Sequence, residues 1–427
     1  MIYEFSFSNF RSYKSKRKLD FSAKPISEFK ETLITKDENA KLLPVCVIYG
    51  PNGGGKSGVL LALKTLRNMI IEPLLQMAFM KNKNEKLAEV PMEILQENLK
   101  REPESEFYYK WDDEGKGAPT AFNILFSLDN IKYRYELSLK ESLIIEENLY
   151  CEKKDGIVDA VFERDDEGVY LCDELEGVDI EKMNDGLPIL SYVALFKDIE
   201  IIDRAVQFFL KMHFIDFDRP RQDRQILVKA IEKDRERIFQ WTKRMGIDIT
   251  DIRVEYDNSG KVVEVYTLHE MENGEFKELK LSEESSGTRK VLSILPMLLS
   301  GIDRGDFFVI DELDAKLHPM LLQRIIEMFT DSVNNKNAAQ LLFASHDMTT
   351  MSNKVFRRDE IWFSAINGYG ESVLYSLVDF KKENGKKPRN DEDYNKQYLE
   401  GRYGADPYFY KIQNWEVADV IKAEEKE

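Results

Sequence analysis

Tyr3, Phe5 and Phe7 alternate with Glu4, Ser6 and Ser8, the period-two pattern of a half-buried strand. Asn9-Phe10-Arg11-Ser12-Tyr13 reads as a turn and Leu19-Asp20-Phe21 as the returning strand. The unbroken apolar run Pro44-Val45-Cys46-Val47-Ile48-Tyr49 predicts a strand covered on both faces. Val59, Leu60, Leu63, Leu66, Met69 and Ile70 then recur at helical spacing. A charged stretch from Lys81 to about Lys116 predicts surface helices broken at Pro91 and Pro103. From Phe122 the period returns to two: Ile131, Tyr133, Tyr135, Leu137 and Leu139 alternate with Lys132, Arg134, Glu136 and Ser138. With short strands near 160–162 and 169–171, this predicts an antiparallel meander. Between Met183 and Met245 the spacing is helical, with Leu227, Ala230, Ile231, Ile238 and Trp241 on one face. Ile252, Val254 and Tyr256 face Val263 and Val265 across Asn258-Ser259-Gly260, and Asn273-Gly274 marks another hairpin turn. Beyond Leu281, helices alternate with buried strands. The chain shows no internal repeat, low-complexity tract or sustained heptads.

These patterns place an α/β parallel core beside an antiparallel β region and a mixed, partly helical insertion. The expected segments are 1–75 and 251–427 for the core, 76–118 for a charged surface insertion, 119–180 for the antiparallel region and 181–250 for a helical insertion. Composition narrows the class. Of 427 residues, 43% are hydrophobic and 33% charged, as in a globular protein with a highly charged surface. The longest apolar runs are strand-length, so no membrane span is expected. The opening Met1-Ile2-Tyr3-Glu4-Phe5 lacks a basic segment followed by an apolar one, and three scattered cysteines offer no disulfide framework, so a cytoplasmic location is expected. A net charge of −17 argues against broad coating of nucleic acid, although Arg11, Lys14, Lys16, Arg17 and Lys18 leave room for a confined contact.

The chemistry concentrates in a few runs. Gly50-Pro51-Asn52-Gly53-Gly54-Gly55-Lys56-Ser57 sits between the first buried strand and the first helix, the context in which a G-x-x-x-x-G-K-[ST] loop binds phosphates. Gly50, Gly53, Gly54 and Gly55 let backbone N–H groups, with Asn52 in the loop, converge on a polyanion. Lys56 reaches the β- and γ-phosphates, and Ser57 offers its hydroxyl to Mg²⁺. Phe307 to Ile310 delivers Asp311 and Glu312 at a strand end, where Asp311 suits the Mg²⁺ shell and Glu312 suits orienting or deprotonating water. Gln340 to Ser345 is the next buried strand and ends at His346, within reach of a γ-phosphate. Leu281-Ser282-Glu283-Glu284-Ser285-Ser286-Gly287-Thr288 opens a helix and forms an anion site at its mouth.

The order of these runs, with Leu313-Asp314-Ala315-Lys316-Leu317-His318-Pro319 between acids and histidine, resembles the ATP-binding-cassette ATPases of the RecF/SMC-like branch. Phe7-Ser8-Asn9-Phe10-Arg11-Ser12-Tyr13 resembles that branch's N-terminal segment, and the resemblance sets Arg11 near the nucleotide base or ribose. Within the branch the chain most resembles AAA-type ATPases of bacterial phage-defence loci, of the RloA and AriA kind. The residues carrying this are Glu284 to Thr288, Asp314 with His318-Pro319, and Tyr398-Leu399-Glu400-Gly401-Arg402-Tyr403-Gly404-Ala405. The resemblance implies an ATPase head that uses ATP and Mg²⁺ and pairs with a second copy, head to head or in a higher oligomer. Ser285 and Gly287 would then act in trans, and Asp314 would belong to the loop at the interface. Ser286 stands where the family usually has glycine, and Asn123 is the candidate for the glutamine-loop position. The absence of heptads between Lys56 and Ser285 predicts no long coiled coil. The segment after His346 lacks the Glu…Asp-x-Asp pattern of an added nuclease. The leading expectation is therefore a defence-system sensor or scaffold controlling a separate nuclease or toxin. The alternatives are a RecF-like DNA-repair ATPase and a nuclease with a metal site near Asp173, Glu174 and Glu176.

Overall fold

The computed structural model describes residues 1–35, 41–81, 107–141, 143–152, 156–180, 183–217, 224–381 and 385–405. Most of the charged stretch after Lys81, including Pro91 and Pro103, lies outside the described residues.

Two sheets organise the molecule. The core sheet has the order β11-β15-β16-β5-β17-β18, with β11 Met212–Asp216, β15 Phe307–Asp311, β16 Gln340–Ala344, β5 Val45–Tyr49, β17 Ile361–Ile366 and β18 Ser372–Ser376. Neighbouring strands from β11 to β17 are parallel, and β18 closes the edge antiparallel. The second sheet is antiparallel and has seven strands in the order β10-β9-β8-β7-β6-β1-β2. Its members are β1 Ile2–Ser8, β2 Arg17–Asp20, β6 Thr120–Leu128, β7 Ile131–Lys140, β8 Leu143–Glu152, β9 Val158–Arg164 and β10 Val169–Leu171. The N-terminal hairpin and the predicted meander thus form one sheet, because Phe5 and Phe7 need the apolar face that β6 provides. The short strands β3 Ile34–Thr35 and β4 Lys41–Leu42 pair separately.

The unbroken apolar character of β5 has a physical reason. Cys46 and Ile48 face a core shared with the antiparallel sheet, whereas Val45, Val47 and Tyr49 face a second core. Helix α1, Lys56–Lys81, belongs to the first core through Val59, Leu63, Leu66 and Ile70. The helix runs through Pro73 and across the expected segment boundary at 75. After α2, Asp113–Gly117, come α3, Ile189–Phe196, and α4, Glu200–Leu210, which complete this core. The buried Glu147 carboxylate accepts from Ile189 N at 2.7 Å and Leu190 N at 3.1 Å, satisfying orphan donors at the start of α3. The second core holds α5 Arg224–Lys233, α6 Arg235–Arg244, α7 Ser286–Arg304 and α8 Pro319–Thr330. A three-stranded sheet, β12 Asp251–Tyr256, β13 Val262–Glu270 and β14 Phe276–Lys280, leads into α7, as the two turn signals predicted.

One reading changes. The span from Met183 to Met245 is helical on both sides of β11, which is an edge strand of the core sheet and pairs in register with β15 from Met212↔Phe307 to Asp216↔Asp311. The run Met212-His213-Phe214-Ile215 is too short to announce itself between amphipathic helices, and its pairing partner lies far along the chain.

Candidate functional site

The loop at 50–55 joins β5 to α1, and Lys56 is the first residue of the helix. Gly53 and Gly55 have φ of 77° and 107°, which side chains rarely adopt. Gly54 has a different reason: a Cβ there would lie 2.7 Å from the Ser364 carbonyl oxygen of β17. Asn52 is exposed, and so is Ser57 at the mouth of α1. The Lys56 ammonium is buried against the loop, donating to Gly50 O at 2.9 Å and Pro51 O at 3.1 Å. Burial lowers its pKa to about 8, while the charges of Asp311, Asp314 and Glu312 pull the other way.

The three acids stand at the carboxyl ends of the core strands. β15, β16 and β5 are adjacent, so Asp311 and Glu312, then His346, then the phosphate loop lie side by side along one sheet edge. Glu312 is exposed and adopts φ 51°, a left-handed conformation that costs free energy in a non-glycine residue. Asp314 Oδ2 accepts from the His346 backbone N–H at 3.1 Å, fastening the loop after β15 to the end of β16. Partial burial and the Lys56 charge lower the His346 pKa below its usual 6.5, against the opposing pull of Asp314, Glu312 and Asp311. The imidazole is therefore neutral at pH 7. Asp311 Oδ1 and Asp314 Oδ1 are buried and find no hydrogen-bond partner among the described residues. Uncompensated carboxylate oxygens beside a phosphate loop suit a hard divalent cation, so the residues fit Mg²⁺.

Ser285 caps α7, its Oγ accepting from Thr288 N at 3.1 Å. Ser285 is exposed, and a Cβ on Gly287 would meet the Lys316 carbonyl at 3.4 Å, an ordinary contact. The preceding Glu284 is tied to β13 through His269 at 2.8 Å and Thr267 at 2.5 Å. Further along α7, the buried Lys290 donates to Phe217 O at 2.6 Å and Ala315 O at 3.2 Å, joining the helix to the ends of β11 and β15. Sequence reasoning missed Lys290, since one more lysine in a charged run carries no signal of burial.

The chain belongs to a known family. A family model described as "AAA domain, putative AbiEii toxin, Type IV TA system" matches residues 45–352, which run from the first strand of the core to the segment after His346. No curated protein matches the chain. Among solved structures, a crystal structure of the SmcHead bound to the C-winged helix domain of ScpA is 14% identical, with a TM-score of 0.42, covering 88% of this chain and 97% of that one. The cbiO1 protein from Clostridium perfringens, part of the ABC transporter complex cbiONQ, is 16% identical with a TM-score of 0.23, covering 44% and 62%. Neither likeness is strong enough to bear on function.

Within this AAA-domain protein, the remaining expected residues fall as follows. Arg11 is exposed in the N-terminal turn, with φ 51° and its backbone N–H on Phe107 O at 2.6 Å. Asn123 lies within β6 and its side chain is committed to Glu136 of β7, a strand-to-strand pairing rather than a loop position. Asp173, Glu174 and Glu176 are exposed around a single 3-10 turn, Asp173–Leu175. Among the described residues, no group of three or more His, Cys, Asp or Glu is arranged to hold a metal ion by itself. The tail packs on β17 and β18: Tyr398 stacks on Phe363 at 5.5 Å, and Tyr403 O accepts from Tyr375 Oη at 2.6 Å. No described helix is long and apolar enough to cross a membrane.

Proposed function

We propose that the protein binds and hydrolyses ATP at this sheet edge. The observation that carries the reading is the collection of Lys56, Asp311, Glu312, Asp314 and His346 at adjacent strand ends, close enough for their charges to act on one another. The loop N–H groups and Lys56 hold the phosphates, and Arg11 lies on the N-terminal turn assigned to the base or ribose. Ser57 and Asp311 would hold Mg²⁺, which neutralises phosphate charge when bound. Glu312 accepts a proton as water's oxygen attacks the γ-phosphorus, and the bond to the β–γ bridging oxygen breaks. The neutral His346 donates a hydrogen bond toward the γ-phosphate, and Asp314 fixes its backbone. Lys56→Ala is expected to lose nucleotide binding. Glu312→Gln keeps binding and loses hydrolysis by about a hundredfold or more, measured as phosphate release. Hydrolysis at the wild-type rate in Glu312→Gln would remove the base from Glu312.

For the protein as a whole, we propose a defence-system sensor or scaffold, of the RloA and AriA kind, that controls a separate nuclease or toxin from the cytoplasm. The family description, which names a putative AbiEii toxin and a Type IV TA system, supports a toxin-linked role. The net charge of −17 and the exposure of the acids at 173–176 favour it over the DNA-repair and nuclease readings. Purified protein is expected to hydrolyse ATP and leave DNA and RNA intact in Mg²⁺ or Mn²⁺. Cleavage lost on Asp173→Asn or Glu174→Gln would overturn this in favour of the nuclease.

A further inference from the structure

The phosphate loop is braced from behind by two buried hydroxyls. Ser364 sits in the middle of the apolar strand β17, between Phe363 and Ala365, with no exposure. A hydroxyl buried there costs stability unless it is bonded. Its Oγ donates to Gly54 O at 2.7 Å. Tyr13, equally buried, arrives from the N-terminal turn and brings its Oη to 2.6 Å from Ser364 Oγ and 3.2 Å from Gly55 O. Since the Ser364 proton goes to Gly54, Tyr13 is the donor to Ser364. Burial raises the Tyr13 pKa far above neutrality, so the phenol keeps that proton.

The brace has a directional consequence. In a trans peptide the carbonyl of one residue and the N–H of the next point opposite ways. Pinning Gly54 O toward β17 turns the Gly55 N–H away from it. This donor stands at the entrance to α1, where a polyanion binds. The fit is close: a Cβ on Gly55 would lie 2.8 Å from Tyr13 Oη, and one on Gly50 would lie 2.0 Å from Ser364 O. The turn carrying Tyr13 is itself fastened to the edge of the core sheet. Ser372 N donates to Ser12 O at 2.7 Å, and Glu371 accepts from Ser15 N at 2.8 Å and pairs with Arg17 at 3.0 Å.

We infer that Tyr13 and Ser364 are positioning residues, forming a hydroxyl relay that pins Gly54 O and so aims the Gly55 N–H of the phosphate loop at the triphosphate. The inference rests on the ATP-binding reading above. It is tested with Tyr13→Phe, Ser364→Ala and the double variant, alongside Lys56→Ala, by ATP titration and by melting with and without ATP. Each single variant is expected to raise the Kd for ATP about tenfold, and the double variant no further than the worse single, because both cut one relay. Tyr13→Phe should melt within a few degrees of wild type without ATP and, with ATP near the wild-type Kd, lose most of the ATP-induced gain. A merely structural hydroxyl would lower the free melting temperature and leave that gain intact, which would overturn the inference. So would ATP Kd values within twofold of wild type, or single effects that multiply in the double variant. If Ser364→Ala does not fold, Tyr13→Phe alone decides. Unimpaired ATP binding by Lys56→Ala would instead remove the nucleotide reading itself.

Discussion

At the scale of single residues, Lys56 makes the sharpest statement. Its ammonium is buried on loop carbonyls, and burial outweighs three nearby acids to bring its pKa down to about 8 from 10.5. Below about pH 8 the free protein presents a cation to the triphosphate, and above it an increasing share presents a neutral amine. ATP affinity is therefore expected to fall as pH rises from 7 to 9.5, by roughly tenfold per unit above the pKa if only the ammonium binds. Calorimetric titration across that range measures it. Lys56→Arg stays protonated and should give a flat profile. A falling profile in both proteins would assign the titration to another group.

At the scale of elements, α7 carries information in a glycine. Gly301 sits inside the helix, where glycine costs about 1 kcal/mol relative to alanine. A Cβ there would lie 2.2 Å from the Phe308 ring of β15. That ring cannot step aside: it stacks on His213 at 4.9 Å and meets Phe329 edge-on at 5.6 Å. Gly301→Ala is expected to destabilise the protein by about 1–3 kcal/mol despite the better helix propensity. Denaturant unfolding measures it, and an increase in stability would show that the α7–β15 contact has slack. The contact matters because β15 ends at Asp311, just before Glu312, and α7 begins at the Ser285 cap.

At the scale of the whole molecule, the question is whether one chain completes its own site. Among the described residues, neither Ser285 nor Gly287 hydrogen-bonds to the phosphate loop, and Ser285 is exposed. We propose that both residues serve the site of a second copy, head to head. Mixing Lys56→Ala with Gly287→Asp tests this, since a heterodimer has one composite site with both lesions and one with neither. ATPase activity should reappear on mixing two inactive proteins. No recovery from demonstrated heterodimers would mean a self-sufficient head.

Residue spacing alone specifies the elements that local pattern controls. The alternation of Tyr3, Phe5 and Phe7, the period-two run after Ile131 and the apolar run before Gly50 each specified a strand, because burial on one or both faces is written in residue spacing. The loop at 50–57 and the acids at 311–312 were legible for a related reason: phosphate and strand-end chemistry require fixed residue types at short range. The remaining features depend on partners distant in the chain. β11 was hidden because its strand character comes from pairing with β15. The roles of Ser364, Tyr13 and Lys290 were equally silent, as each is defined by a carbonyl far away in sequence that it must satisfy once buried. Asn123 went to Glu136 for the same reason, because the neighbouring strand supplied a partner that no local spacing announces. Local periodicity fixes which face of an element is buried, while the hydrogen-bond needs of the buried polar groups are settled only when the sheets come together.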